Sequence, residues 1–265
     1  MTLSKTERMI ALKDGAIGWI TFNNPARHNA VSMVMWEALY DILTDYASDD
    51  AIRVIVVKGA GEKAFVSGAD ISEFEQKRSS PETTKLYNAT SQKASKALKE
   101  VNKPTIAMIR GYCVGGGVST AMSCDLRIAA EGSTFAVPAA KLGLGYEYDG
   151  IRKLMDVVGP AFAKEIFFTA RQFTAAEALA MGLVNRLLPV DQLEPYVRDY
   201  ANAIAANAPL TVSSIKTIVA EALKDESVRD KRLCQEVVDR CFNSADYVEG
   251  RQAFMEKRKP KFTGR

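Results

Sequence analysis

Two short loops of small residues are the segments most able to do chemistry. Gly115-Gly116-Gly117 follows an apolar run at 105–109 and opens a stretch of helical character. Glycines there let the main chain approach a ligand and direct N–H groups at it. Ser67-Gly68-Ala69-Asp70 is a second such loop. Each lies near the expected end of an apolar strand, where open α/β sheets place ligands. Singly, each is a turn, with Asp70 as a cap. Together they offer two backbone N–H groups converging on one oxygen, the arrangement of an oxyanion hole. The glycine triplet is neither Gly-x-Gly-x-x-Gly nor a loop ending in Gly-Lys-Ser/Thr, so it does not indicate nucleotide binding.

Other candidates are weaker. Gly117-Val-Ser119-Thr-Ala121 imitates a nucleophile elbow, but a serine nucleophile needs a base oriented by a third group. The only imidazole, His28, stands in a polar loop far away in sequence, and alone it excludes a His-Glu-x-x-His zinc site. Ser213-x-x-Lys216 matches a serine–lysine pattern on an amphipathic helix and is expected at the surface. Gly145-Tyr146-Glu147-Tyr148-Asp149-Gly150 gathers four ionisable side chains between glycines, as functional loops often do. It is equally readable as a solvated turn with its aromatic stems packed down. Lys257 to Lys261 is a solvated basic tail or a phosphate contact.

The elements that must position these loops alternate between strand and helix. Ile10 and Leu12 before Asp14-Gly15, and Ile17, Ile20 and Phe22 after it, predict a hairpin over 7–23. Residues 23–27 form a loop. Ser32 caps a helix with Met35, Trp36, Leu39, Leu43 and Tyr46 on one face. Residues 53–58, 105–109 and 126–130 read as buried strands. Residues 59–70 read as loop, 81–101 as a long helix and 118–123 as a short one. After about Gly159 no further strand is expected. Thr174-Ala-Ala-Glu177 fits a capping box, with Gly182 as that helix's stop, and from Asp191 the chain reads helical. The sum is an α/β chain.

The chain has 265 residues, 47% apolar and 25% charged, with 35 basic and 32 acidic side chains and a net charge of +3. This length supports one large domain or a domain with an appendage. The charge balance gives no general pull toward nucleic acid or an anionic membrane. The 4 cysteines, without a Cys-x-x-Cys pair, are expected as small buried residues in a reducing compartment. No apolar run of about 18 residues or more is present to span a bilayer. The first residues lack the plan of a signal peptide. A cytoplasmic protein is the expectation.

At these residues the sequence resembles the enoyl-CoA hydratase/isomerase (crotonase) family over nearly its whole length. The anchors are Asn24-Pro-Ala-Arg-His-Asn-Ala30, Lys63-Ala-Phe-Val-Ser-Gly-Ala-Asp70, Lys103-Pro-Thr-Ile-Ala107, Gly111 to Gly117, Cys124-Asp-Leu-Arg-Ile-Ala-Ala130, Ala175-Ala-Glu-Ala-Leu-Ala-Met-Gly-Leu-Val184 and the tail Phe254 to Phe262. The resemblance implies a crotonase-like spiral of ββα units over 1–190 and a C-terminal helical trimerisation region over 191–265. It implies an acyl-CoA substrate, no separate cofactor or metal, and a homotrimer or a hexamer built as a dimer of trimers.

By the same resemblance, the N–H groups of Ala69 and Gly116 form the oxyanion hole for a thioester enolate. Arg27, Ala30, Ser67, Asp70 and Ile71 fall where the family holds CoA. Lys259 and Phe262 fall where a neighbouring subunit closes over the nucleotide end. The two glutamates of the family's hydratases are replaced here by Ser119 and Ala139, on the substrate side. Leu142-Gly-Leu-Gly-Tyr146 and Gly150-Ile-Arg-Lys-Leu154 are more similar to the methylmalonyl-CoA decarboxylase branch, where a tyrosine at the Tyr146 position serves the substrate carboxylate. That branch often carries His where this chain has Ala69. Three readings stay open: an enolate-forming hydratase/isomerase-type lyase whose acid or base is Tyr146, Glu147 or Asp149; a decarboxylase using Tyr146; and a non-catalytic acyl-CoA-binding protein.

Overall fold

The computed structural model describes residues 6–70 and 81–265. Asp14-Gly15 makes the expected hairpin, in which β1 (Met9–Asp14) pairs antiparallel with β2 (Ile17–Phe22) and Asp14 stands opposite Ile17. Gly15 takes φ +58°, as a two-residue hairpin turn requires. The next strands are β3 (Val54–Gly59), β4 (Ala64–Val66), β5 (Thr105–Ile109), β6 (Tyr112–Val114), β7 (Leu126–Ala130) and β8 (Thr134–Ala136). They alternate between two sheets. One runs β1-β2-β3-β5-β7-β10 and the other β4-β6-β8-β9, where β9 is Phe173–Thr174 and β10 is Arg186–Leu188. Each turn of the chain lays one strand in each sheet and returns through a helix. This is the expected spiral of ββα units.

Among the described residues, four of the helices before β10 connect the turns. They are α1 (Met33–Ser48) and α2 (Pro81–Glu100), then α3 (Gly116–Ser123) and α4 (Tyr148–Thr169). The predicted face of α1 is buried, together with Ala38 and Ile42. Ser32 sits at its N-cap, but its carbonyl rather than its hydroxyl is engaged, accepting from the Met35 and Trp36 N–H groups. α4 is interrupted at Gly159, φ +77°, and Pro160 starts its second part. A short α5 (Ala175–Ala180) carries the complete Thr174–Glu177 capping box.

The core has two faces. β2, β3, β5 and β7 contribute Ile20, Ile55, Val57, Ala107, Ile109 and Ala129 to one cluster with α1 to α4 and the second sheet. Their other face carries Ile17, Trp19, Val54, Val56, Ile106 and Ile128. It is covered by α6 (Leu193–Ala205) through Leu193, Val197, Ala201 and Ala205. After α6 come α7 (Pro209–Ala222), α8 (Lys231–Phe242) and α9 (Ala245–Met255). The tail folds back: the buried Asp246 carboxylate accepts from the N–H groups of Thr263 at 2.6 Å and Gly264 at 2.8 Å. Among the described residues no single helix is long and apolar enough to cross a membrane.

Four expectations need correction. Strands do not stop at Gly159: β9 and β10 follow, but both are too short to show alternation. β4 lies inside the segment 59–70 read as loop. α3 begins at Gly116, within the triplet read as a turn. Lys216 is not a surface lysine; it donates to Asp125 at 2.8 Å and to the Lys103 carbonyl at 3.0 Å, which fixes α7 to the core. Of the cysteines, Cys113 and Cys124 are buried and Cys234 and Cys241 only partly so.

Candidate active site

The two small-residue loops meet. A methyl group placed on Gly116 would lie 3.5 Å from Gly68 Cα and 3.8 Å from Ala69 N. The first loop is held by a single parallel bridge between Val31 and Ala69. In it the Val31 N–H donates to Gly68 O at 2.9 Å and the Asp70 N–H donates to Val31 O at 3.0 Å. Because its neighbours face Val31, the N–H of Ala69 is turned to the other side, toward Gly116. Gly116 is the first residue of α3, so its N–H has no partner within the helix. Among the described residues no backbone carbonyl accepts from either group. Two unbonded donors on adjoining strand-to-helix corners can hold one developing oxyanion.

Glycine is required at the second corner. Gly115, the N-cap, takes φ +53°. A methyl group on Gly117 would fall 2.0 Å from the Val66 carbonyl oxygen, so α3 touches β4 at main-chain contact.

The N-terminal motif surrounds the first loop. Arg27 pairs with the buried Asp70 at 3.1 Å, and the Ser67 hydroxyl donates to Arg27 O at 3.3 Å. Asp70 is therefore an ion-pair partner of Arg27. The Asn24 amide donates to Ala30 O at 3.0 Å. Arg27, Ala30, Ser67, Ala69, Asp70 and Gly116 thus form one neighbourhood. Ile71 lies outside the described residues.

Ser119 is half-buried on α3, one turn after Gly116. Ala139 is buried in the core, within a 3-10 turn at Pro138–Leu142. Tyr146 is partly buried against the same core, its ring edge-on to Phe167 at 4.8 Å. Burial pushes its phenol above the ordinary value, so it stays protonated. Its hydroxyl has no hydrogen-bond partner among the described residues. The segment read as a loop is helical from Tyr148 onward. Glu147 is the N-cap of α4 and Asp149 lies in its first turn, so their side chains diverge. Both are exposed, and Glu147 accepts from the Gln92 amide at 3.0 Å. Gly150, read as the glycine that closes this loop, lies in α4, and a side chain there would strike the Tyr146 ring at 2.7 Å. It is a packing glycine inside a helix. Lys259 and Phe262 lie on the C-terminal tail, where Lys259 is exposed and the Phe262 ring lies over Gly250 of α9.

Sequence reasoning gave no site role to Asn29. It is fully buried at φ +56°, a conformation asparagine tolerates better than most residues. Its side-chain oxygen accepts from Asn24 N at 2.9 Å, while its amide donates to Ala60 O at 2.9 Å and Ala64 O at 2.7 Å. It locks the entry to Val31, and through Val31 the aim of Ala69. Tyr87 on α2 adds to this, donating to Val31 O at 3.1 Å and accepting from the Trp36 indole at 3.0 Å. The only available signal was an asparagine between two apolar segments.

Comparison with known proteins agrees with this geometry. Residues 13–265 match the family model described as enoyl-CoA hydratase/isomerase. A crotonyl-CoA hydratase of Syntrophomonas wolfei is 33% identical over 97% of this chain and 98% of its own. A methylmalonyl-CoA decarboxylase of Escherichia coli is 34% identical over 92% of this chain and 94% of its own. The crystal structure of an enoyl-CoA hydratase/carnithine racemase from Magnetospirillum magneticum superimposes with a TM-score of 0.94 at 36% identity, covering 99% of this chain and 98% of that one. With model, relatives and fold in agreement over almost the full length, the chain belongs to the enoyl-CoA hydratase/isomerase family.

Proposed function

We propose that this protein is a lyase-type acyl-CoA enzyme that forms a thioester enolate, with the N–H groups of Ala69 and Gly116 donating to the thioester oxygen as it gains charge. The observation that carries this is the approach of Gly68-Ala69 to Gly116. Each donor in such a pair supports about 3–4 kcal/mol of transition-state stabilisation. CoA enters and leaves as part of the substrate, and no other cofactor is needed. A side-by-side assay of crotonyl-CoA, methylmalonyl-CoA and an enzyme-free blank tests the reading. Binding without turnover of either would leave a non-catalytic acyl-CoA-binding protein.

Hydration by a carboxylate pair is disfavoured, because positions 119 and 139 hold a hydroxyl and a methyl group. Hydration needs a base for water and an acid for the α-carbon. Decarboxylation of a malonyl-type thioester is the second reading, favoured by the unpartnered Tyr146 hydroxyl and supported by similarity to the E. coli decarboxylase. The bond from the α-carbon to the carboxylate breaks, CO₂ leaves, and the electron pair passes into the thioester as an enolate. A proton then returns to the α-carbon. A neutral tyrosine donates to the substrate carboxylate without a competing charge. Tyr146→Phe is expected to lower methylmalonyl-CoA turnover by about tenfold or more, with CoA binding retained. Unchanged turnover in this variant, together with crotonyl-CoA hydration at about 10 s⁻¹ in the wild type, would exclude decarboxylation through Tyr146.

We also propose that the C-terminal helices join copies of the chain into a trimer or a dimer of trimers. Phe242, Val248, Phe254 and Met255 are exposed on α8 and α9, the last two at 82% and 80%. Apolar side chains grouped in this way mark an interaction surface. Light scattering at micromolar concentration is expected to report three or six subunits, and a monomer would refute the assignment.

A further inference from the structure

Lys153 is a buried-facing cation that the proposed chemistry leaves unused. From the second turn of α4 it reaches α3, where its ammonium group donates to the Ser119 carbonyl at 3.0 Å and to the Ser123 hydroxyl. No carboxylate pairs with it among the described residues. The charged and titratable groups that act on it are Lys99 of α2 and Arg127 of β7, both of which repel its charge, and the Cys124 thiol after α3. A lysine so placed stays charged at a cost, which a surface position would have avoided.

α3 itself is short. Its first turn is closed by the Ser119 N–H on Gly115 O at 3.2 Å, and the Thr120 hydroxyl donates to Gly116 O at 2.8 Å. Whatever holds Ser119 therefore holds Gly116. A cation on carbonyls of the second turn also complements the negative end of the helix, and its field adds to that of the N–H group at the first turn.

We propose that Lys153 is a positioning residue for the reaction, tying α4 to the second turn of α3 and supplying the positive charge behind the Gly116 N–H. The proposal rests on the reading of Ala69 and Gly116 as oxyanion donors. Burial, with Lys99 second, lowers the Lys153 pKa to about 8. Loss of that proton is expected to weaken the site as pH rises through about 8. Stability should move the other way. Between about 8 and the ordinary lysine value of 10.5 the unfolded chain binds the extra proton, so the folded state gains stability with rising pH. That gain follows from the lowered pKa whatever the role of the lysine, so the discriminating readout is the polarisation of the bound carbonyl.

The test uses 4-(dimethylamino)cinnamoyl-CoA, a thioester whose absorption moves to longer wavelength when its carbonyl is polarised. With the wild-type protein the red shift is expected to decline through pH 8, while thermal unfolding shows no loss of stability. Lys153→Met is expected to lose about half the shift or more at pH 7 and to lower turnover about tenfold, mainly in kcat, with thioester affinity kept. Lys153→Arg should restore the shift and remove the alkaline decline. A wild-type shift that is flat with pH and retained in Lys153→Met overturns the proposal alone. If Lys153→Met does not fold, the wild-type titration decides. Absence of any red shift in the wild type overturns the oxyanion reading, and this proposal with it.

Discussion

Gly116→Pro is expected to lower turnover by about a hundredfold or more while the protein still folds. Proline has no N–H, so the substitution deletes one oxyanion donor outright. It goes to the first position of α3, where proline's fixed φ suits the helix and the missing donor breaks no helical bond. Proline also narrows the choices of the preceding residue, and Gly115, lacking a side chain, is well able to adapt. Space is available, since a methyl group at 116 would meet Gly68 Cα at 3.5 Å, an ordinary contact. Gly116→Ala is the companion. It adds the same first carbon, keeps the donor, and should cost less than about tenfold. Equal losses in the two variants would assign the effect to crowding and remove Gly116 from the oxyanion hole.

Gly117→Ala should instead damage the fold. Its methyl group would stand 2.0 Å from the Val66 carbonyl oxygen and 2.9 Å from the Val66 carbonyl carbon. Those atoms are main chain of a buried strand and cannot turn aside as a long side chain can. α3 and β4 must separate, and β4 leads directly into Ser67 and Ala69. A loss of about 3 kcal/mol or more is expected, which for a domain of this size lowers Tm by about 6–12 °C. Gly145→Ala serves as the stability control, because a methyl group there meets nothing within 4 Å. An unchanged Tm for Gly117→Ala would mean that α3 does not touch β4 as described.

How far the sequence disclosed these features depended on the range of the cause. Asp14-Gly15 and Thr174–Glu177 act on their immediate neighbours, and both were legible, as was the apolar face of α1. The two small-residue loops were legible as a pair because residue type alone marks a main chain free to approach a ligand. Gly150 shows the opposite case. It was read as loop punctuation, yet it serves to make room for the Tyr146 ring within a helix, a packing demand that local sequence does not express. Lys216 and Lys153 were hidden for the same reason. Their partners, Asp125 and Ser119, are brought near only by the spiral. Strands as short as β4, β9 and β10 carry too few residues for alternation to register.

The placement of α6 has a consequence for how the molecule comes apart. A spiral whose turns contact mainly the turns before and after would be expected to unwind from its ends, as repeat proteins do. α6 prevents this by lying across β3, β5 and β7, with Val197 and Ala201 fully buried on them. It acts as a crossbar over three successive turns of the ladder. No one of those turns can be released until the bar lifts, and lifting it exposes the whole second face of the sheet at once. The spiral and its crossbar are therefore expected to melt as a single cooperative unit, with the amide hydrogens of β3, β5 and β7 exchanging at one common, slow rate, which native-state hydrogen exchange would check.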